Sequence, residues 1–184
     1  MNITAREESK ASELIEEKKP TFVEGVKIIK PSDITQGEED FLFTVDYSQT
    51  LKEMIKAAGF DWVDEAITQK RFPLPNELFG KKLNLRAKLF HFDDYIGSER
   101  AIAKIKKADH RFKLATLAEQ LAFAKEYREL QKEFPIISLG SKWKVTRHSS
   151  RVTAIDFGPN GRELATSSFE GIWLPSCRFL TVFK

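Results

Sequence analysis

Between Lys82 and Phe92 the chain alternates without a break: Leu83, Leu85, Ala87, Leu89 and His91 fall on one side, and Asn84, Arg86 and Lys88 on the other. Side chains two apart share a face of a strand, so this run predicts a strand of about ten residues. A strand of that length needs a partner of matching pattern. The last residues, RFLTVF from Arg178 to Phe183, offer it. Pairing of these two segments would set the end of the chain beside residue 85 and close everything between them into one unit.

Two helical segments follow the long alternating run. Ser98 opens one with Ala101, Ile102, Ile105 and Ala108 on a stripe. Thr116 and Glu119 make a capping box for the other, expected over 117–133 with Leu117, Leu121, Ala124 and Leu130 inward, and Phe134-Pro135 ends it. From Ile136 the pattern turns to β: IISLG, VTAIDF, a Pro159-Asn160-Gly161 turn, RELAT, then the terminal run. Upstream, Phe41, Phe43 and Val45 alternate as a strand. Thr50 and Glu53 form another capping box, for a helix burying Leu51, Met54, Ile55 and Ala58, with Gly59 as its C-terminal cap. Asp61 is expected to cap a further turn of helix carrying Trp62 and Val63, and Phe72-Pro73-Leu74-Pro75 is rigid and extended. At the start, Thr4 and Glu7 suggest a charged helix reaching Lys18. A strand is expected over Phe22–Ile29, and a polar loop from Pro31 to Asp40. The division expected is an N-terminal helical arm and linker over 1–40, a small α/β elaboration over 41–82, and a core over 83–184.

The core segments carry a resemblance. KLNLRAKLFHF, SERAIAKIKKA, the RFKLATLAEQLAFA junction, FPIISLGSKW and CRFLTVFK follow the order of the C-type-lectin-like fold: a strand, two helices, a β-rich ligand-binding region, and a last strand that pairs with the first. DWVDEAIT, ATLAEQLAFAKEYRELQKEFPIISLGS and CRFLTVFK also resemble a family of uncharacterised bacterial proteins abundant in candidate-phyla genomes. The fold class implied is α+β, a C-type-lectin-like core with an N-terminal α/β elaboration. The wider fold is shared by variable proteins of diversity-generating retroelements and by formylglycine-generating enzymes. The latter resemblance implies two cysteines where this chain has only Cys177. The Glu-Pro-Asn and Gln-Pro-Asp loops of calcium-dependent lectins are absent from the sequence. VTAIDFGPNGRELATSS resembles one repeat of a WD-type propeller, but a lone repeat cannot bury its own sheet.

No catalytic constellation emerges. His91 and Asp93 share a strand face, yet a metal site needs a third ligand and supporting contacts. Cys177 precedes an apolar strand, where a thiol is buried and inert. No cofactor and no metal are expected, and the chain reads as a non-enzymatic binding module. Met1 leads into a polar stretch and no apolar run nears the ~20 residues of a membrane span, which predicts a cytoplasmic protein that engages no membrane. The binding face is expected in the turn-rich region between Trp143 and Cys177, on Arg151, Phe157, Phe169, Glu170, Ile172, Trp173 and Leu174, with a protein or other macromolecule as partner. Nucleic acid is the alternative. Residues 1–69 hold 8 basic and 15 acidic side chains and residues 70–113 hold 12 and 5. In the latter stretch Arg86, Lys88, Arg100, Lys104, Lys107 and Arg111 interleave with Phe90, Phe92, Tyr95 and Phe112, the ingredients of phosphate contact and base stacking.

Overall fold

The computed structural model describes residues 26–29 and 40–183. The helix expected to reach Lys18, the polar loop over 31–39 and the first residues of the strand expected from Phe22 lie outside them. Among the described residues the order is β1 (Val26–Ile29), β2 (Phe41–Asp46), α1 (Leu51–Ala58), β3 (Trp62–Val63), β4 (Lys82–Phe92), β5 (Ile96–Gly97), α2 (Ser98–Ala108), β6 (Phe112–Leu114), α3 (Leu117–Glu126), β7 (Ile136–Thr146), β8 (Ser149–Gly158), β9 (Gly161–Ser168), β10 (Ile172–Trp173) and β11 (Arg178–Phe183). The architecture is α+β.

The long alternating strand finds the terminal strand. β4 and β11 are antiparallel neighbours, with Arg178 opposite His91 and Val182 opposite Ala87. The main sheet runs β1-β4-β11-β7-β8-β9-β3, with β2 on β4 beside β1's end and β6 on β11. Successive residues of the central strands feed opposite faces, and both faces are buried. Ala87, Leu89, Ile136, Ile155, Leu164, Leu180 and Val182 join β2, α1 and α3 in one core. Phe90, Phe92, Ile137, Val152, Ala154 and Phe179 join α2 in the other. The sequence reading put one apolar face on β4. The structure puts Phe90 and Phe92, on the Arg86/Lys88 side, deeper than His91, which is half-buried. A strand buried on both faces carries apolar residues on both, so parity alone cannot pick the inner one.

Both expected capping boxes form: Thr50 with Glu53 on α1, and Thr116 with Glu119 on α3. Gly59 adopts φ 68° as the α1 cap, a conformation that penalises any side chain with a Cβ. Two expectations fail. Residues 117–133 are not one helix: α3 ends at Glu126, Tyr127 has φ −111° and ψ 59°, and a 3₁₀ turn covers Arg128–Lys132. The break lets the Tyr127 hydroxyl donate to Leu42 O at 2.8 Å and accept from Leu42 N at 2.9 Å, while its ring packs on Phe41 and Phe123. Nor do Trp62 and Val63 form a helical turn. They make β3, parallel to β9, and the Asp61 carboxylate accepts from Arg162 N at 2.8 Å instead of capping a helix. A two-residue apolar run has no period to distinguish the two states. The 41–82 segment is continuous with the core through β2 on β4 and α1 against α3.

One buried cation binds these layers. Arg162 on β9 donates from Nη1 to Ala58 O (2.7 Å) and Gly59 O (2.8 Å), from Nη2 to Ala124 O (2.8 Å), and from Nε to Gln131 Oε1 (3.0 Å). Those carbonyls end α1 and approach the end of α3, where the helix dipole favours positive charge. Burial pushes the guanidinium's pKa down, but an arginine keeps its charge. Arg162→Met strands the four acceptors and is expected to cost at least about 3 kcal/mol in urea unfolding. Arg162→Lys, with three donors at one point, is expected to recover less than half of that loss.

Candidate functional site

The region expected to be turn-rich is mostly regular. β7, β8 and β9 form an antiparallel meander, and β8 and β9 close on a two-residue Pro159-Asn160 connection with Gly158 opposite Gly161. Apart from the β7–β8 register shift between Lys144 and Thr146 and the turn after it, irregular backbone lies in 169–177, where β10 pairs with β5. This correction divides the seven expected site residues. Arg151 and Phe157 are exposed at opposite ends of β8, about 20 Å apart at the rise of a strand. Phe157 thus belongs to a different end of the molecule from the 169–177 loop.

Phe169 and Trp173 are core residues and cannot present themselves to a partner. Trp173 is 7% exposed; its ring meets Phe179 edge-on, and its Nε1 donates to Ser98 Oγ at 2.8 Å. Ser98 Oγ in turn donates to Phe169 O at 2.6 Å. The hydroxyl at the start of α2 therefore pins the loop to the helix. Phe169 is covered by Lys142, whose Nζ lies 3.9 Å from the ring centre. Glu170 is exposed but braces the loop: its carboxylate accepts from Ser150 N at 3.0 Å, and that bond holds its pKa below the ordinary value.

Arg151 and the apolar pair Ile172 and Leu174 remain exposed, and Tyr95 lies near that pair just before β5. In the β5/β10 ribbon Trp173 stands opposite Ile96 and both point inward. Ile172 and Leu174, one residue to either side, point outward. Tyr95 directly precedes β5 and Leu174 directly follows β10, so the two flank the last pair, Ile96 and Trp173. Ile172, Leu174 and Tyr95 are 68%, 53% and 66% exposed. Ile172 lies across from Gly97, which has no side chain to cover it. Sequence reasoning placed Tyr95 among the basic segment's aromatics, since nothing local reveals a two-residue pairing across more than seventy positions.

The basic segment gathers differently. Arg86, Lys88 and Arg111 converge on Phe183, with Arg86 Cζ 3.9 Å, Lys88 Nζ 5.9 Å and Arg111 Cζ 6.0 Å from its ring centre. Arg86 and Lys88 each lie 3.3 Å from Asp40. Arg111 forks onto Asp109 at 2.7–3.1 Å and holds that carboxyl at about 2. Arg100, Lys104 and Lys107 lie along α2, with Lys104 5.8 Å from the Phe92 ring. Phe90, Phe92 and Phe112 are buried and unavailable for base stacking.

His91 Nε2 and Asp93 Oδ1 are 3.8 Å apart, and among the described residues no three histidine, cysteine or acidic side chains group as a metal site. Cys177 is buried, which pushes its thiol pKa up and disfavours the nucleophilic thiolate. No helix among the described residues is long and apolar enough to cross a membrane. Comparison with known proteins gives no match: no family model fits the sequence, and no curated protein or solved structure matches it.

The Ser98 hydroxyl serves two buried partners at once. Ser98→Ala is expected to cost about 2 kcal/mol in urea unfolding, since it strands both the Trp173 indole N–H and the Phe169 carbonyl. Trp173 emission should shift in the same variant.

Proposed function

We propose that this chain is a non-enzymatic protein-binding module with a C-type-lectin-like core, and that it engages its partner through the outer face of the β5/β10 ribbon. The architecture favours this reading through the order strand, two helices, β-rich region and terminal strand, with β11 returning to β4. The single observation that carries it is that Ile172 and Leu174, on either side of the inward-turned Trp173, and Tyr95, beside its partner Ile96, are each more than half exposed. Scattered apolar residues are ordinary on a surface, whereas a contiguous group marks a contact site. The ribbon's inner face is locked by Trp173 and Ser98, so the outer face is held in place before any partner arrives, and little ordering entropy is lost on binding. The partner is a protein offering a complementary apolar surface, for which tyrosine and branched aliphatics give large contact area from few rotatable bonds. Asp93, Asp94 and Glu99 flank Tyr95 in the chain and favour basic residues at the partner's rim.

A photo-crosslinking residue at position 172, compared with one at Leu42 on another part of the surface, tests the reading. A discrete protein adduct from 172 alone is expected. Purified partner should then bind the Ile172→Ser, Leu174→Ser variant at least tenfold more weakly, with the melting temperature unchanged within about 2 °C. Equal adducts at both positions, or undiminished affinity, would overturn it. A product that runs as a dimer of this chain, or an adduct lost on nuclease treatment, would reassign the face to self-association or to nucleic acid.

A further inference from the structure

β4 covers one edge of β11 from Arg178 to Val182. Two strands share the other edge. β7 runs parallel to β11 only at Ile136 and Ile137, and antiparallel β6 pairs with it from Thr181 to Phe183. β7 therefore parts from β11 after Ile137 and passes the end of β6. Ala115, just beyond β6, holds the two strands together there: its carbonyl accepts from Gly140 N at 2.9 Å and from the Ser138 hydroxyl. A Cβ on residue 140 would lie 2.5 Å from the Leu114 and Ala115 carbonyl oxygens, so glycine is what lets β7 come this close.

Where the strands part, β6, β7 and the end of α2 enclose a hollow of about 460 Å³, within the range of small-molecule sites. Ile105, Phe112, Leu114 and Leu139 give it an apolar lining, to which Lys106, His110 and Lys113 are added. Among the described residues no acidic side chain lines it. The apolar residues are buried or half-buried and the three basic ones are exposed, so the basic residues stand at the mouth and the apolar ones behind them. The walls are fixed without a ligand, since β6 is paired with β11 and β7 is held at Ala115. A hollow kept open by paired backbone loses little ordering entropy when it is filled.

We infer that this hollow binds a single-chain amphiphile with an anionic head, the chain lying against the apolar lining and the head at the basic mouth. Lys106 is in the last turn of α2, where it also answers the helix dipole, as Lys107 does outside the hollow. Lys113 is on a strand, where no helix end accounts for its charge. Asp109, next to His110 in the chain, is met by Arg111 Nη2 at 2.7 Å, so the nearest carboxylate in sequence is already neutralised. Cations beside low-dielectric walls focus their field on whatever enters between them. A bare anion would leave the apolar lining unused, and an uncharged chain would gain nothing from that field. Carboxylate and phosphate-monoester heads share the required chemistry. Tyr95, Ile172 and Leu174 do not line the hollow, so this site stands independently of the ribbon face.

The probe is decanoate, titrated into labelled full-length protein at concentrations that leave its circular dichroism unchanged, and followed by amide chemical shifts. Saturable shifts at His110, Phe112, Lys113, Leu114 and Gly140 are expected. Decanol, with the same chain and no charge, should bind several-fold more weakly and without salt dependence. Decyltrimethylammonium, with the opposite charge, and butyrate, with the head and little chain, should bind more weakly still. Decyl phosphate binding tighter than decanoate would identify a phosphate monoester as the natural head, and weaker binding a carboxylate.

The variant carrying both Lys106→Gln and Lys113→Gln alters two exposed positions and is expected to keep its melting temperature. It should bind decanoate roughly three- to tenfold more weakly, the worth of two exposed charges, and decanol as before. A change in the shape of the hollow would weaken both ligands together. Absent saturable shifts at millimolar decanoate, equal binding by decanol or decyltrimethylammonium, or undiminished affinity in the double variant would each overturn the assignment. Shifts centred on Thr50, Leu51 and Phe79 would also overturn it, because those residues line a different apolar hollow beside α1.

Discussion

The guanidinium of Arg162 meets the end of one helix, the approach to the end of another, and a 3₁₀ turn, all from a single strand. Each of those segments would otherwise leave carbonyls without partners inside the protein. Their clustering makes one site of partial negative charge, and only a side chain with donors pointing in several directions can serve it. The placement has consequences for the chain's order. α1 belongs to the 41–82 segment and α3 to the segment after β4, so a residue of β9 joins what sequence reading divided at residue 82. Asp61, through its bond to Arg162 N, and β3, through its pairing with β9, extend the same junction. The N-terminal elaboration is thereby fixed against α3.

Local chemistry was legible wherever a residue acts on its own neighbourhood. Thr50 with Glu53 and Thr116 with Glu119 cap helices because the partners lie three residues apart, and Gly59 ends α1 because its own backbone bends. The β4–β11 pairing was legible for a related reason, since two long alternating segments had no better partner. What failed depends on residues far apart. Arg162 lies in a segment reading as polar strand, and its acceptors are 31 to 104 positions away. Tyr127 stops a helix that composition would continue, because its hydroxyl is worth more on Leu42. Phe169 and Trp173 have the loop setting of contact residues but the neighbours of core residues. The Ser98 hydroxyl that fixes them, 71 and 75 positions upstream, passes in sequence for an ordinary helix start.

The proposed binding face and its support are the two sides of one ribbon. Trp173 and Ile96 turn inward and are anchored, and the residues beside them are forced outward by the pleat. Tyr95, Ile172 and Leu174 cannot be buried by a local rotation without exposing Trp173. The exposure of these side chains is thus a consequence of satisfying the tryptophan.

Tyr47 poses the converse problem, a phenol taken out of water beside the Thr116 hydroxyl. It follows β2 directly and precedes the α1 capping box, a position whose backbone is held by its N–H to Lys81 O at 2.8 Å. The ring packs with Leu51 and Met54 in the larger core, so the aromatic body is accounted for by burial alone. The hydroxyl adds a polar tie toward Thr116 at the start of α3. Folding energetics would favour phenylalanine at that position, as the chain has elsewhere in the same core at Phe41, Phe43, Phe72 and Phe123. Here the hydroxyl, buried and beside Thr116, links the end of β2 to the start of α3, so the cost of burying it is offset in part where the N-terminal segment meets that helix.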